Sequence, residues 1–394
     1  MANHLRILAA GILAMSLAAW PAAAQLPASA ILTDSDHAAM QTELARLDRL
    51  LDSSPDKAAV TYWIARTWAY GQQWPEAMQG LRKVVAMRAG FDPARDSVFA
   101  AVRTTREFAA IEADVPEATQ PVSHSQTAFS IPEGDLVPES MAYDPAGKQF
   151  YFGSMRQGKI IRCSPRGACE PFADGLGTVL GLKAHGGGLW ALNNAATESE
   201  LIHFDLASGR AVRKYSLPGS GHLLNDLAIA ESGEVFFTDT RAAAVWRLAS
   251  DASQPVQLPG RFEGANGIAL SPEASLLYVS TFPDGIMVID LKSGASAPIK
   301  RPVGLTLAII DGLYFDRGSL LAIQNGFMTP RVIRFALDRR LRSIERFQVL
   351  ERRNPLFDGV TTGVIANGEF YYMANIQDEK QSGFQPITIL KLHR

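Results

Sequence analysis

The sequence has few cysteines, no long basic run, and no apolar segment long enough to span a membrane. Only two of its 394 residues are cysteine, and the formal net charge is −2. Without a basic patch, a nucleic-acid partner is not favoured. The chain also lacks a glycine-rich dinucleotide or phosphate-binding fingerprint and a Gly-x-Ser-x-Gly motif. These absences argue against nucleotide-dependent enzymes and serine esterases.

The first 24 residues have the order of a secretory signal peptide. Arg6 is their only Lys or Arg, an apolar stretch follows at 7–20, and small residues end at Ala24. The alternative, a membrane anchor, is disfavoured because this stretch cannot span about 30 Å of hydrocarbon. We therefore expect cleavage after Ala24, a periplasmic or secreted protein, and no membrane span in the mature chain.

The two cysteines, Cys163 and Cys169, lie close together in the sequence. Pro165 and Gly167 allow the chain between them to fold back. In an oxidising compartment the pair can form a disulfide, and this is the prediction. Free thiols and half of a metal site are the alternatives, but a soft-metal site needs further Cys or His residues nearby.

Residues 25–120 are predicted to form a small α-helical domain followed by a linker. Apolar residues recur at helical spacing from Leu44 to Leu51, and the segment 58–90, with Ala65, Trp68 and Ala77, resembles one tetratricopeptide repeat. Because one repeat cannot bury its apolar face alone, we expect these helices to pack on themselves or on the next domain. Binding of a protein partner is the alternative. The polar stretch 116–125 is typical of a linker.

From residue 126 onward, helical periodicity gives way to short β-type runs separated by Gly, Pro, Asn and Asp. One phrase, an oxygen-bearing side chain followed by two apolar runs, recurs at intervals of about 40–45 residues. Two weaker copies begin near Gly181 and Thr362, and the four strong copies begin at Glu139, Asn225, Asn266 and Asp311. This pattern predicts a mainly β protein with a six-bladed β-propeller over residues 121–394, preceded by the small α-helical domain.

A propeller has to close, because an open ring leaves two sheet edges exposed. The run 127–131 precedes the first copy and has no blade of its own. We predict that it pairs beside 388–392 and completes the last blade. The segment from His185 to Gly188 is interpreted as a hairpin turn in the second blade, and Asp358 as part of an Asp-Gly turn.

Equivalent positions on the innermost strands of a propeller converge at its axis. The four strong copies place two carboxylates and two amide oxygens there, with no Cys or His: Glu139, Asn225, Asn266 and Asp311. Such oxygen ligands suit Ca²⁺, Mg²⁺ or Mn²⁺ rather than zinc or copper. Ordinary turn chemistry is the alternative, since Asn-Asp, Asn-Gly and Asp-Gly are common loop dipeptides. Their repetition at one register favours a shared metal site.

The sequence around these positions resembles the senescence marker protein/gluconolactonase/luciferin-regenerating-enzyme family from about Phe129 to the end. The resemblance rests on Pro138-Glu139-Ser140, Leu224-Asn225-Asp226, Ala265-Asn266-Gly267 and Ile310-Asp311-Gly312. It implies a six-bladed propeller with one catalytic divalent metal, usually Ca²⁺, that hydrolyses lactones or related esters. It also implies that Glu139, Asn225, Asn266 and Asp311 are the metal ligands and that Asp311 accepts the proton of the attacking water.

A second candidate catalytic residue is His222, three residues before Asn225. It is a candidate base, substrate contact or outer donor, and a loop histidine with no role is the alternative. Two positions depart from the relatives: Leu180 replaces a histidine of paraoxonase-like enzymes, and Leu223 replaces an arginine of gluconolactonase-like members. We expect an exported metal-dependent hydrolase of a small-molecule lactone or ester. A non-catalytic, metal-stabilised propeller that binds a ligand or a protein is the alternative.

Overall fold

The structure is a computed structural model that describes residues 34–115, 120–282, 284–326, 328–376 and 383–393. The predicted signal peptide, residues 1–24, lies outside these ranges, so its cleavage remains a prediction. Among the described helices, none combines the length and the apolar character that crossing a membrane requires.

In the described part of the chain, four α-helices precede the propeller. The first buries a stripe of residues spaced by three or four, Met40, Leu44 and Leu47. The side chain of Asp56 caps the second helix by accepting a hydrogen bond from the backbone N–H of Ala59 at 3.0 Å. The helices are α1 (Asp34–Ser53), α2 (Lys57–Tyr70), α3 (Trp74–Ala86) and α4 (Arg106–Ala113), with short 3₁₀ turns at Pro93–Arg95 and Ser97–Val102.

The α2–α3 pair contains the small residues that the sequence pattern singled out. Ala65 and Ala77 are both fully buried. A Cβ atom added at Gly80 would lie 2.7 Å from the Cβ of Ala65, so the two helices approach closely at this point. The helical domain is therefore confirmed, while its likeness to a tetratricopeptide repeat remains a prediction.

The described strands form six four-stranded antiparallel sheets, which are the six predicted blades. The first two blades are β2 (Pro138–Asp144), β3 (Gln149–Ser154), β4 (Ile160–Cys163), β5 (Cys169–Ala173) and β6 (Thr178–His185), β7 (Gly188–Asn194), β8 (Ser199–Asp205), β9 (Ala211–Ser216). The next two are β10 (Leu224–Ile229), β11 (Val235–Asp239), β12 (Ala244–Leu248), β13 (Val256–Gln257) and β14 (Ile268–Leu270), β15 (Leu276–Thr281), β16 (Gly285–Asp290), β17 (Ser296–Pro298). The last two are β18 (Ile310–Asp316), β19 (Ser319–Gln324), β20 (Arg331–Leu337), β21 (Ile344–Arg352) and β22 (Gly363–Ala366), β23 (Glu369–Met373), β24 (Ile387–His393), β1 (Gln126–Ile131).

The ring closes as the sequence predicts. Strand β1 pairs antiparallel with β24, so that Thr127 lies opposite Leu390 and Ile131 opposite Ile387. The first strand therefore completes the sixth blade, and the two ends of the domain are joined by backbone hydrogen bonds rather than left as open edges.

Two local predictions in the first two blades are confirmed. Cys163 on β4 and Cys169 on β5 are cross-strand partners and form a disulfide. Strand β6 ends at His185 and β7 begins at Gly188, so the residues between them, Gly186 and Gly187, form a two-residue hairpin loop. Their φ angles are 59° and 78°, which suits the left-handed turn that joins twisted antiparallel strands.

The described end of the predicted linker is tied to the fifth blade. Val122 exchanges two backbone hydrogen bonds with Arg352 on β21, each 2.8 Å long. The backbone N–H groups of His124 and Ser125 both donate to the carboxylate of Glu351, which is fully buried. These contacts fix the direction in which the chain enters β1.

The helical domain packs on the propeller, as one of the two sequence interpretations expects. The rings of Trp63 and Phe282 lie 4.6 Å apart, and the helical core also includes Ala308, Ile309 and Met328 of the propeller. Ala308 and Ile309 directly precede β18, and Met328 follows the end of β19. The helices therefore cover part of the propeller face from which the innermost strands begin.

Candidate metal centre

The innermost strands of four blades carry a β-bulge at the same place. The register shifts between Pro138 and Ser140 on β2, between Val179 and Gly181 on β6, between Leu224 and Leu227 on β10, and between Ile310 and Leu313 on β18. A bulge turns a side chain away from its normal direction in the sheet. The residues in these bulges include Glu139, Leu180, Asn225 and Asp311.

The other two blades place a residue at the same register without a bulge. Asn266 lies two residues before Ile268, the first residue of β14, and Thr361 lies two residues before Gly363, the first residue of β22. We call the six equivalent positions the axial ring, made up of Glu139, Leu180, Asn225, Asn266, Asp311 and Thr361. Thr361 is the member that the sequence pattern did not single out.

The glycines that follow Asn266 and Asp311 are needed for close approach. A Cβ atom at Gly267 would lie 2.4 Å from the backbone carbonyl oxygen of Asp311. One at Gly312 would lie 2.6 Å from the hydroxyl oxygen of Tyr314 and 2.9 Å from the carbonyl oxygen of Thr361. These Asn-Gly and Asp-Gly pairs therefore bring neighbouring innermost strands together, and they are not turns between strands.

A hydrogen bond joins two of the predicted ligands, and an electrostatic interaction links a third to them. The amide nitrogen of Asn266 donates to Oδ1 of Asp311 at 2.8 Å. Glu139 lies close enough to Asp311 for that carboxylate to influence its pKa. The amide nitrogen of Asn225 instead donates to Oγ1 of Thr240, outside this group, at 3.0 Å. In the described part of the chain, no group donates a hydrogen bond to the amide oxygen of either asparagine.

Burial makes both carboxylic acids of the axial ring weak. It raises the pKa of Asp311 from 3.8 to about 7, against the opposing effect of hydrogen bonds from Asn325 and Asn266. Burial, followed by the charge of Asp311, raises the pKa of Glu139 well above its usual value, while the neighbouring hydroxyl of Thr361 opposes the rise. No cationic side chain of the described residues offsets these effects, so a bound cation would relieve an unfavourable arrangement.

The oxygen atoms of the axial ring fit a hard divalent cation. Among the described residues, neither Oε2 of Glu139 nor Oγ1 of Thr361 has a hydrogen-bond partner of good geometry, although both atoms are buried. Such orphaned oxygens are rare unless something else satisfies them. The described chain contains no group of three or more His, Cys, Asp and Glu residues that could hold a metal. A cation here would therefore be held by two carboxylates together with amide and hydroxyl oxygens, which suits Ca²⁺.

His222 lies in the loop before β10, and its ring is turned toward the body of the third blade. Its Nδ1 lies 2.5 Å from Oδ2 of Asp239, and its Nε2 lies 3.1 Å from the carbonyl oxygen of Pro218. Asp239 is fully buried and also accepts a hydrogen bond from the N–H of Leu223 at 3.0 Å. With its two ring nitrogens facing Asp239 and Pro218, His222 holds the loop that leads to Asn225 and is turned away from the axial ring.

A charged layer that the sequence did not reveal lies further along the innermost strands. The ammonium of Lys183 is 4.0 Å from Oδ1 of Asp226 and 5.3 Å from the ring centre of Tyr314. Burial raises the pKa of Asp226, and Lys183 opposes this rise. Asp226 also accepts the backbone N–H groups of Leu227 and Ile268. Asp226, which follows Asn225 in the sequence, is therefore paired with protein groups and is not a member of the axial ring.

The fold and the axial ring together define a six-bladed β-propeller with an oxygen-rich site at its axis. The chain belongs to the SMP-30/gluconolactonase/LRE-like family, which matches residues 137–357. This confirms the family that the sequence motifs indicate. No curated protein sequence gives a significant match.

Solved structures that are similar to this chain are named for different functions. The calcium-binding protein regucalcin from Agrobacterium tumefaciens is 15% identical, with a TM-score of 0.52 over 70% of this chain and 96% of its own. A putative oxidoreductase (glucose dehydrogenase) from Thermus thermophilus is 15% identical, with a TM-score of 0.50 over 68% and 99%. A luciferin-regenerating enzyme is 14% identical, with a TM-score of 0.50 over 70% and 95%. At such identities these likenesses establish the fold alone.

Proposed function

We propose that this protein is an exported, divalent-metal-dependent hydrolase of the lactonase type that acts on a small-molecule lactone or ester. The observation that carries the proposal is a pair of buried acids with raised pKa values, Glu139 and Asp311. Among the oxygen atoms at this site, Oε2 of Glu139 and Oγ1 of Thr361 are buried without a hydrogen-bond partner of good geometry in the described part of the chain. Strongly perturbed acids that converge in one place are typical of functional sites. Membership of the gluconolactonase-like family supports the reaction class.

In the proposed reaction, the cation would be held by Glu139, Asn225, Asn266 and Asp311, with Thr361 as an additional oxygen donor. When bound, the cation would supply Lewis acidity for polarising the lactone carbonyl and for lowering the pKa of water. Asp311 would accept the proton of the attacking water, because a carboxylate beside both the cation and the water can act as a general base. Asn266 orients that carboxylate through its hydrogen bond to Oδ1.

The residues around the axial ring favour a substrate with few hydroxyl groups. Leu180 puts a buried apolar side chain at the second ring position. Leu223, two residues before Asn225, adds a half-buried apolar side chain near the same strand end. An apolar surface cannot satisfy sugar hydroxyls, so an aliphatic lactone or an aryl ester fits better than a sugar lactone.

The experiment is an assay of mature protein against aliphatic lactones, sugar lactones and aryl esters, with added Ca²⁺ or Mn²⁺ and after chelation. Hydrolysis should disappear on chelation and return with the metal. Asp311→Asn should reduce turnover by roughly 10²–10⁴-fold, as expected for loss of a general base. Asp290→Asn, a surface change in the fourth blade, is the matched control and should leave turnover unchanged. Hydrolysis that is indifferent to chelation and to Asp311→Asn would contradict the proposal.

The second candidate is a non-catalytic propeller in which the cation is structural. It is favoured by the apolar residues at Leu180 and Leu223 and by the engaged nitrogens of His222. It predicts that chelation lowers the melting temperature while no lactone or ester in the panel is hydrolysed. Partner binding through the helical domain belongs to this candidate, although the apolar face of the helices is already covered by the propeller.

Export to the periplasm or the medium is part of the proposal. It is supported by the order of residues 1–24 and by the disulfide between Cys163 and Cys169, which persists in oxidising compartments. The test is mass spectrometry of the protein recovered from the periplasm or medium of a bacterial host. The proposal expects an N-terminus at Gln25, and recovery of only the uncleaved chain from the cytosol would contradict it.

A further inference from the structure

The segment that leads into Asp311 is strained. Residues 299–309 connect β17 to β18, and Ile309 lies two residues before Asp311 at φ +53°. A positive φ is a true outlier for a β-branched residue, and such a conformation persists only when surrounding contacts enforce it. The contacts that enforce it are therefore candidates for control of the Asp311 carboxylate.

The helical domain supplies one set of these contacts through Asp56. Its Oδ2 accepts hydrogen bonds from Oγ1 of Thr306 at 2.8 Å, from the backbone N–H of Leu307 at 2.9 Å and from Nη1 of Arg301 at 3.2 Å. Only 2% of Asp56 is exposed. Its other oxygen caps α2, so one buried carboxylate fastens the helical domain to the strained segment.

The propeller holds the same segment from the other side through Gln324. Its amide nitrogen donates to the carbonyl oxygen of Ala308 at 2.7 Å, and its amide oxygen accepts from Nε of Arg331 at 2.7 Å. The next residue, Asn325, donates to the carbonyl oxygen of Val360 at 2.7 Å, and its side chain lies close enough to Asp311 to lower the pKa of that acid. The strained segment thus lies between Asp56, which is connected to Asp311 through the backbone of residues 307–310, and Gln324, whose neighbour Asn325 lies close to Asp311.

Apolar packing reinforces the polar contacts. Ala308 and Ile309 are buried in the core of the helical domain rather than in a blade of the propeller. Without the helices, the strained residue would lose the packing that holds it, and β18 would be free to begin in a relaxed conformation.

We propose that Asp56 is a positioning residue for the metal centre, which makes the helical domain a structural part of that centre. Asp56 holds the segment before β18 in its strained conformation and thereby fixes the direction of the Asp311 carboxylate. This inference rests on the proposed metal site. The inference gives the helices fused to the propeller a structural role, because the residue that holds the segment, Asp56, belongs to the helices and not to the propeller.

The test separates the positioning role of Asp56 from its role as a helix cap. Serine also caps helices, but it is too short to reach Thr306 and Leu307, so Asp56→Ser should keep α2 and lose the positioning contacts. Asp92→Ser is the control, because Asp92 pairs with Arg353 across the same interface at 2.9 Å without touching the strained segment.

The readout is Ca²⁺ affinity by calorimetry on chelated protein, with circular dichroism to confirm folding. Asp56→Ser should weaken binding by about 10–100-fold, as expected when an outer residue that orients a ligand is lost. Asp92→Ser should bind like the wild type. If Asp56→Ser does not fold, Thr306→Val is used instead. This substitution removes one hydrogen-bond donor to Asp56 and leaves the α2 cap intact, and it should also weaken Ca²⁺ binding.

The outcomes separate this inference from the proposed function. If the wild type binds Ca²⁺ and Asp56→Ser and Thr306→Val bind it equally well, the positioning role is overturned while the metal site stands. If the folded wild type binds no divalent ion, the metal site fails and the positioning role fails with it. Weakening by Asp92→Ser to the same extent as by Asp56→Ser would also overturn the inference, because the effect would then be general to the interface.

Discussion

Replacing Asp311 by asparagine is expected to stabilise the metal-free protein at alkaline pH. Asp311 is a carboxylic acid with a folded-state pKa of about 7 and an ordinary value of 3.8. A raised acid pKa contributes stability that is fully present below the ordinary value and is lost as the pH rises to the folded value. Wild-type protein in chelator should therefore lose stability from about pH 4 to about pH 7, and Asp311→Asn should not.

The size of the effect follows from the shift. Each pKa unit corresponds to about 1.4 kcal/mol, so about two units lie between pH 5 and the folded pKa. Between pH 5 and pH 8, the free energy of unfolding of Asp311→Asn should therefore rise by about 3 kcal/mol relative to the wild type. The asparagine keeps only one acceptor oxygen, and a lost hydrogen bond from Asn266 or Asn325 would subtract about 1 kcal/mol at both pH values.

The assay is urea denaturation in chelator at pH 5 and pH 8. Asp290→Asn is the control, because hydrogen bonds from Ser293 lower the pKa of that surface carboxylate. Asp290 is ionised at both pH values, so the effect of its substitution should not change between them. The reasoning is refuted if the stability difference between Asp311→Asn and the wild type is the same at pH 5 and pH 8.

Three further outcomes follow from the described contacts. Removing the disulfide in Cys163→Ser/Cys169→Ser should cost about 2 kcal/mol in urea denaturation, the value for a short closed loop, and should leave Ca²⁺ affinity unchanged. His222→Gln should lower the melting temperature by about 2–4 °C without changing Ca²⁺ affinity, because the ring nitrogens face Asp239 and Pro218 rather than the axial ring. A large loss of Ca²⁺ affinity would contradict this expectation. Gly267→Ala should destabilise the fold by about 1–3 kcal/mol and weaken Ca²⁺ binding, since the new Cβ would press on the backbone of Asp311; wild-type behaviour in both assays would contradict it.

The fold was predictable because its information is repeated along the chain. Four strong copies of one phrase set the register of the blades, and two weak copies completed the count. The closing strand was predictable for a different reason, since the run 127–131 had no blade of its own and a closed ring needs a partner for it. The structure confirms this pairing through Thr127 opposite Leu390.

The site was predictable only where it repeats the same chemistry. Glu139, Asn225, Asn266 and Asp311 carry the expected oxygen atoms, and the structure places them at one register, although their role as ligands stays a prediction. Thr361 escaped notice because it precedes Thr-Gly and lacks an acidic or amide side chain. Asp358, which stands in an Asp-Gly pair nearby, is exposed and lies outside the ring.

The supporting residues were out of reach for sequence reasoning. Asn325 lies on the loop after β19, and Asp56 lies in the helical domain, 250 positions before its partner Thr306. Neither belongs to a repeated phrase, and their contacts depend on how the helical domain packs on the propeller. His222 stood close to Asn225 in sequence, but side-chain direction, which sequence spacing does not reveal, turns its ring toward Asp239.

The most direct test of the account is calorimetric titration of Ca²⁺ into metal-free wild-type protein and into Glu139→Gln. Glu133→Gln, which removes a carboxylate that pairs with Lys159 outside the axial ring, is the matched control. We predict one ion bound per wild-type chain, unchanged binding in Glu133→Gln and no measurable binding in Glu139→Gln. A wild-type chain that binds no divalent ion, or a Glu139→Gln variant that binds Ca²⁺ as tightly as the wild type, would contradict it.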